Sequence, residues 1–239
     1  MLPFIVLGPD IFIPSYFLVI SLTYTLASLW LFQRAPQFAI SQKYVIDVAL
    51  IIMLMGFLGA RIFHVLYEHP DYYIKVPMQI FKFWQGGFVF YGGLLFALIS
   101  VFFYLHKNQQ DWRQWFELFA PVVVFGYIMG RFATLLSGSG FGRPTDLPWG
   151  IVYPQGPEAP SGIPLHPTPI YSMLWNFIYL IFVLWKQKNP PKLMNFKGSF
   201  LLVYGIYHAI GRFIIEQFRD DFRGSQWFSL SISSWFSLL

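Results

Sequence analysis

Apolar residues run along this chain in long blocks, without the short alternation of a half-buried strand. The blocks lie near residues 11–32, 45–67, 86–105, 115–137, 168–185 and 198–216, with a shorter one at 226–239. A bilayer core about 30 Å thick is crossed by roughly 20 apolar helical residues, so six of these blocks each predict a spanning helix. The seventh, QWFSLSISSWFSLL, is short and serine-rich, and predicts a short or tilted helix. The fold class expected is an all-α integral membrane protein of about seven transmembrane helices, built as a single polytopic domain over residues 1–239.

Composition agrees with this reading. Charged residues make up only 11% of the chain, against about 25% in soluble domains. Lys and Arg set orientation by their position. Arg34, Lys43, Lys107, Arg113, Lys186, Lys188, Lys192 and Lys197 fall in the loops after the first, third and fifth helices. Lys75, Lys82, Arg143, Arg219 and Arg223 fall on the opposite side, mixed with Glu68, Asp71, Asp146, Glu158, Asp220 and Asp221. The imbalance predicts an outside (periplasmic) N-terminus and an inside C-terminus. Because the basic residues are scattered and form no stripe, no nucleic-acid partner is expected.

The opening MLPFIVLGPDIFIPSY lacks the basic region and small-residue cleavage site of a secretory signal, so it is expected to stay in the mature chain. With no cysteine in the sequence, any sulfur chemistry has to come from a substrate. The chain has no internal repeat. Helices 4 and 5 are expected to be joined outside by a long loop holding Pro144, Pro148, Pro154, Pro157, Pro160, Pro164 and Pro167, and long connections of this kind are usually functional.

Arg61, Arg131 and Arg212 each sit within or at the end of an apolar block. A charge at that depth marks a functional site or a paired structural charge, although a single arginine can also snorkel to the interface. His208, Arg212 and Glu216 recur at every fourth residue and Arg219 follows three later, which gathers them on one helical face. Glu216 could orient Arg212 or Arg219, or merely hold the helix end. Guanidinium groups match phosphate in geometry and stay charged when desolvated. Several at one level, among aromatics that tolerate acyl chains, predict a site for an anionic phospholipid headgroup. In GGFVFYGGLL the glycines around Tyr91, Gly92 and Gly93 among them, permit either close helix packing or close approach of a ligand. Asp47 and His64 are weaker signals. Phosphate loops, nucleophile elbows and zinc signatures are absent, so neither a metal nor a cofactor is expected.

Taken in order, these motifs resemble the prolipoprotein diacylglyceryl transferase family of bacterial inner membranes. GPDIFIPSY resembles the family's N-terminal segment with its tyrosine at Tyr16, and GAR ending at Arg61 is similar to the second helix. YGGL at Tyr91–Leu94 resembles a His-Gly-Gly-Leu motif with tyrosine in place of histidine. Gly130, Arg131, Gly138 and Gly142 match the signature Gly-Arg-x-x-Asn-x-x-Asn-Gly-Glu-x-x-Gly, which RPTDLPWG continues. His166, Pro167 and Tyr171 match His-Pro-x-Gln-Leu-Tyr-Glu, and RFIIEQFRDD is similar to the family's ending.

The resemblance implies transfer of the diacylglyceryl group of phosphatidylglycerol to the lipobox cysteine of a preprolipoprotein, in a bacterial inner membrane and among membrane lipid, with release of glycerol phosphate. It implies a catalytic set of Arg131, Arg212, Glu216, His208 and Tyr91. Headgroup binding would fall to Tyr16, Arg61, Gly92, Gly93, Gly142, Arg143, His166 and Arg219. Thr134, Ser137 and Ser139 stand where the signature has Asn, Asn and Glu, and Pro169 and Ser172 replace a glutamine and a glutamate. The phosphate-binding arginines are kept, while amide, carboxylate and imidazole groups are lost. His208, where the family often has tyrosine, is a candidate replacement base. The alternative expectation is a divergent member that binds phospholipid without turnover, or serves another acceptor.

Overall fold

A computed structural model describes residues 1–8, 11–68, 70–83, 86–153, 160 and 162–219. Among these residues six helices are long and apolar enough to cross a membrane: Ser15–Phe38, Gln42–Tyr67, Phe90–Lys107, Trp112–Ser137, Thr168–Lys186 and Ser199–Glu216. The protein is a predominantly helical, multi-pass membrane protein. The apolar block at 226–239 lies outside the described residues.

The chain forms two compact units, Met1–Trp30 with Phe116–Leu239, and Leu31–Trp115. The first unit opens on a β-hairpin, β1 (Phe4–Gly8) and β2 (Ile11–Pro14), paired Phe4 to Pro14, Ile5 to Ile13 and Val6 to Phe12. The first apolar block was expected to be helical from residue 11, but its first four residues are this strand. Proline restricts the residue before it to extended backbone, so Pro14 keeps Ile13 out of the helix. Helix α1 (Ser15–Arg34) starts immediately afterwards. Ser15 holds the junction, with both its backbone N–H and its hydroxyl donating to the Pro3 carbonyl.

In the second unit, helix α2 (Gln42–Phe63) continues through a π turn over His64–Glu68, followed by the short α3 (Pro70–Lys75) and then α4 (Phe90–Lys107). The third apolar block was expected to be helical from residue 86. Its helix begins at Phe90 because Gly86 and Gly87 both take φ of 82°, a left-handed conformation that only glycine adopts cheaply. Helices α2 and α4 pack through small residues. A Cβ on Gly92 would meet Phe63 and the Gly59 carbonyl, and one on Gly93 would meet the Gly56 carbonyl and Ala60. Without a hydrophobic driving force between helices in lipid, such close backbone approach is a main source of association.

The first unit continues with α5 (Trp112–Ser137), β3 (Ile151–Val152), β4 (Pro164–Leu165), α6 (Thr168–Lys186) and α7 (Ser199–Glu216). Its core joins Ala120 and Val124 of α5, Tyr179, Leu180 and Val183 of α6, and Phe200 and Tyr204 of α7. Pro121 lies inside α5 and removes the N–H that would have bonded the carbonyl four residues earlier, that of Glu117. Gln187 supplies the missing donor, its Nε2 lying 2.6 Å from the Glu117 carbonyl. The Glu117 carboxylate also accepts from the Gly198 N–H at 2.7 Å and from the Ser199 hydroxyl at 3.2 Å. A carboxylate at a helix N-terminus satisfies orphan donors and the helix dipole together. One glutamate thereby ties the start of α5 to the end of α6 and the start of α7.

Helices α6 and α7 also exchange a reciprocal pair of bonds. Trp175 Nε1 donates to the Tyr207 carbonyl at 3.2 Å, and the Tyr207 hydroxyl donates to the Trp175 carbonyl at 2.8 Å. The two rings stack with centroids 4.7 Å apart, and Trp175 fills the space beside Gly211 that a side chain there would need.

Candidate functional site

Helices α5 and α7 of the first unit carry most of the candidate side chains. Tyr127 and Arg131 are one turn apart on α5, and His208, Arg212 and Glu216 are one turn apart on α7, so each set shares a face. The Nε–H of Arg131 donates to the Tyr127 hydroxyl oxygen at 2.9 Å, and the guanidinium carbon lies 4.9 Å from the centre of the same ring. Tyr127 in turn meets His208 in a T-shaped contact with centroids 4.5 Å apart. The arginine of one helix and the histidine of the other therefore share a single tyrosine between them.

A polar line runs from His208 into α6. The Tyr204 hydroxyl donates to Asn176 Oδ1 at 2.8 Å and lies 3.5 Å from His208 Nδ1. Asn176 Nδ2 donates to the Ser172 carbonyl at 2.7 Å. The one proton of Tyr204 is thus used on Asn176, and the donor in the long contact with His208 Nδ1 depends on the histidine tautomer. A neutral imidazole with Nδ1 protonated presents Nε2 as its lone-pair nitrogen.

Arg212 and Glu216 form an ion pair at 3.2 Å, with side chains 11% and 12% exposed. Arg212 also lies within electrostatic reach of Arg131 and Arg219, and His208 within reach of Arg131 and Arg212. Arg131 and Arg219 thus add positive charge to the surroundings of the Arg212–Glu216 pair. Among the described residues, two further guanidinium groups and one carboxylate act on Arg212. Partial desolvation strengthens such a field, and its sign attracts an anion.

Beside this cluster three backbone segments are stitched together. The Gly142 N–H donates to the His166 carbonyl, the His166 N–H to the Arg143 carbonyl, and the Arg143 N–H to the Phe218 carbonyl, at 2.9 to 3.0 Å. Gly142 and Arg219 pair as an antiparallel bridge. Gly142 was expected beside a headgroup, but a Cβ there would meet the Phe218 carbonyl, His166 and Thr168. Its smallness serves this backbone approach. His166 Nδ1 is 3.0 Å from the Tyr171 hydroxyl, which accepts from Trp149 Nε1 at 2.9 Å. The Arg143 side chain, expected to reach back over the site, is exposed and makes no bond among the described residues. Tyr16 is 40% exposed and packs edge-on against Phe17.

The signature replacements are satisfied locally. Thr134 donates to the Gly130 carbonyl, Ser137 to the Thr134 carbonyl, and the Ser137 and Ser139 hydroxyls are 2.8 Å apart. Small hydroxyls close the end of α5 on itself.

In the second unit Arg61 is 4% exposed. Its Nε donates to the Ile80 carbonyl, Nη1 to those of Gly86 and Gly87, and Nη2 to that of Gln79. Four of its five N–H donors are thus spent on backbone. These bonds make Arg61 the anchor of the backbone at residues 79–87. Arg61, His64, Tyr72, Tyr73, Gln79, Gly86 and Gly87 line a cavity of about 440 Å³. Gly92 and Gly93, also expected at a ligand, lie in the α2–α4 contact, whereas Tyr91 is 49% exposed. The Tyr104 hydroxyl donates to Asp47, which accounts for that acid within an apolar helix. Among the described residues no three His, Asp or Glu side chains converge as metal ligands.

Tyr127, Tyr204, Asn176 and Glu117 were not singled out from sequence. A tyrosine one turn before a membrane arginine is a usable signal for the first. The other three depend on contacts between distant segments.

The model of the prolipoprotein diacylglyceryl transferase family matches residues 3–239. Among curated proteins, the phosphatidylglycerol-prolipoprotein diacylglyceryl transferase of Cupriavidus metallidurans is 36% identical over 182 residues, 76% of this chain and 66% of the relative. That of Cupriavidus pinatubonensis is 35% identical over 195 residues, 81% of this chain and 69% of the relative. That of Polynucleobacter asymbioticus is 34% identical over 206 residues, 84% and 77%. The chain spans about two thirds of the length of the first of these relatives.

Proposed function

The chain belongs to the prolipoprotein diacylglyceryl transferase family, and from that premise we propose that it transfers the diacylglyceryl group of phosphatidylglycerol to a cysteine thiol of a prolipoprotein. In this reaction the thiolate sulfur forms a bond to the glyceryl carbon that carries the phosphate. The bond from that carbon to the phosphate oxygen breaks, and glycerol phosphate leaves with the electron pair. The thiol proton passes to a base. The chain contains no cysteine, which accords with a thiol brought by the substrate.

The observation that carries this reading is the Arg212–Glu216 pair, with Arg131 and Arg219 within electrostatic reach of Arg212, and Arg131 and Arg212 within reach of His208. The leaving phosphate gains charge as the carbon–oxygen bond breaks, so fixed guanidinium groups favour the transition state over the ground state. We assign Arg131 and Arg212 to that charge, Glu216 to the orientation of Arg212, and Arg219 to headgroup attraction. A free thiol has a pKa of about 8.5 and reacts as thiolate, so a base is required. His208 Nε2 is our candidate, with its ring held by Tyr127 and Tyr204. Tyr91 remains assigned to the catalytic set, and Tyr16, His166 and Arg143 to headgroup binding.

The N-terminus is assigned to the outside and the C-terminus to the inside of a bacterial inner membrane, with a seventh helix over 226–239 and a proline-rich outer loop between α5 and α6. The acceptor is assigned as a lipobox cysteine. The test in cells is whether this chain restores lipoprotein maturation after depletion of the resident transferase. Restoration supports the assignment, and unmodified prolipoprotein accumulating beside well-expressed protein opposes it.

A further inference from the structure

We propose that Tyr127 is the positioning residue of Arg131, selecting which edge of its guanidinium is offered to a phosphate. This rests on the anion-site reading above. A guanidinium can grip an oxyanion by its Nε/Nη edge or by its Nη1/Nη2 edge. Here the Nε–H is committed to the Tyr127 hydroxyl at 2.9 Å, and no other bond to Arg131 occurs among the described residues. The fork that remains is the Nη1/Nη2 end.

Tyr127 acts on the same arginine in a second way. The guanidinium carbon lies 4.9 Å from its ring centre, within the range of a cation–π contact. An acceptor and an aromatic face on one side chain restrict both the rotation and the tilt of the fork. The same ring meets His208 at 4.5 Å, so the position of Arg131 is referred to α7, where Arg212 lies. The Tyr127 hydroxyl oxygen accepts from Arg131, and its own proton has no acceptor among the described residues. The Nη1/Nη2 end is then the recognition edge for a phosphodiester oxygen.

Two variants separate hydroxyl from ring. Tyr127→Phe keeps the ring against His208 and removes the acceptor; Tyr127→Leu removes both. The measurements are the transfer rate against phosphatidylglycerol concentration, retention of phosphatidylglycerol by the purified protein in native mass spectrometry, and thermal unfolding in detergent. Tyr127→Phe is expected to unfold within a few degrees of the parent, yet to lose about tenfold in kcat/KM and to retain less phosphatidylglycerol. In an Arg131→Lys background, which has no fork to orient, the same change is expected to add less than twofold. Equal losses in the two backgrounds, or a Tyr127→Phe protein indistinguishable from the parent, would overturn the proposal. If the parent shows no transfer at all but lipid retention still falls with Tyr127→Phe and not in the lysine background, the positioning role stands and the transferase assignment fails.

Discussion

Arg212 and Glu216 lie one helical turn apart on α7 with an ion pair of 3.2 Å, each side chain only about a tenth exposed. Among the described residues, Glu216 is the carboxylate that acts on Arg212, alongside the guanidinium groups of Arg131 and Arg219. A pair at this depth is strongly coupled, because removing one partner leaves the other desolvated and uncompensated. Glu216→Gln keeps the shape and removes the charge. The fork of Arg212 then loses its anchor while the attraction for an anion increases. The expected result is a fall in kcat of about 10- to 100-fold, the size of one or two such charged contacts, with KM for phosphatidylglycerol unchanged or lower. Steady-state transfer assays over a range of lipid concentration check this split. A raised KM at constant kcat would instead make Glu216 a binding residue.

His208 is expected to act through its rate and not through lipid affinity. General base catalysis is worth about 10²- to 10⁴-fold, so His208→Gln should lower kcat by at least about 10²-fold at unchanged lipid retention. A His208→Gln protein that keeps full transfer activity removes the histidine from the mechanism.

Glu117 is expected to matter for stability. It accepts from Gly198 and Ser199 at the start of α7 and from Gln187 at the end of α6. Glu117→Ala removes these bonds and a helix-terminal charge, a loss of about 1–3 kcal/mol from the buried donors left behind. Thermal unfolding in detergent should shift down by several degrees. Activity per folded molecule should persist.

Glycine substitutions should divide by their surroundings. Gly92 and Gly93 are buried in the α2–α4 contact, where an added Cβ meets backbone and side-chain atoms, whereas nothing lies within 4 Å of a Cβ at Gly130. Gly92→Ala is expected to lower the yield of folded protein and its unfolding temperature. Gly130→Ala is expected to leave both unchanged or slightly raised, since alanine in a helix interior is worth about 1 kcal/mol over glycine. Comparable losses in the two variants would contradict the packing role of the α2–α4 glycines.

The spanning helices were legible because an apolar block of membrane length has few other solutions. Their starts were less so. Apolarity does not distinguish Ile11–Pro14 as a strand from the beginning of α1, although Pro14 marked the break. The same holds for Gly86 and Gly87, whose positive φ postpones α4 to Phe90. Within the site, the spacing of His208, Arg212 and Glu216 carried one face of α7, and depth in the membrane singled out Arg131. The fate of Arg61 was not legible. Its carbonyl partners lie 18 to 26 residues away, on the 3-10 turn Pro77–Phe81 and on Gly86 and Gly87. Nor was Glu117, whose partners lie 70 to 82 residues on and whose freed carbonyl arises from a proline in its own helix. Sequence spacing reports neighbours on one element, and these contacts join different elements.

The central claim is that the arginine cluster serves a displacement at phosphatidylglycerol by a cysteine thiol. Its most direct test incubates the purified chain with phosphatidylglycerol and a lipobox peptide and follows the peptide by mass spectrometry. The expected product is the peptide bearing a diacylglyceryl thioether, with glycerol phosphate released in equal amount and both lost in Arg131→Ala and Arg212→Ala. Retained phosphatidylglycerol with no thioether and no glycerol phosphate would contradict it.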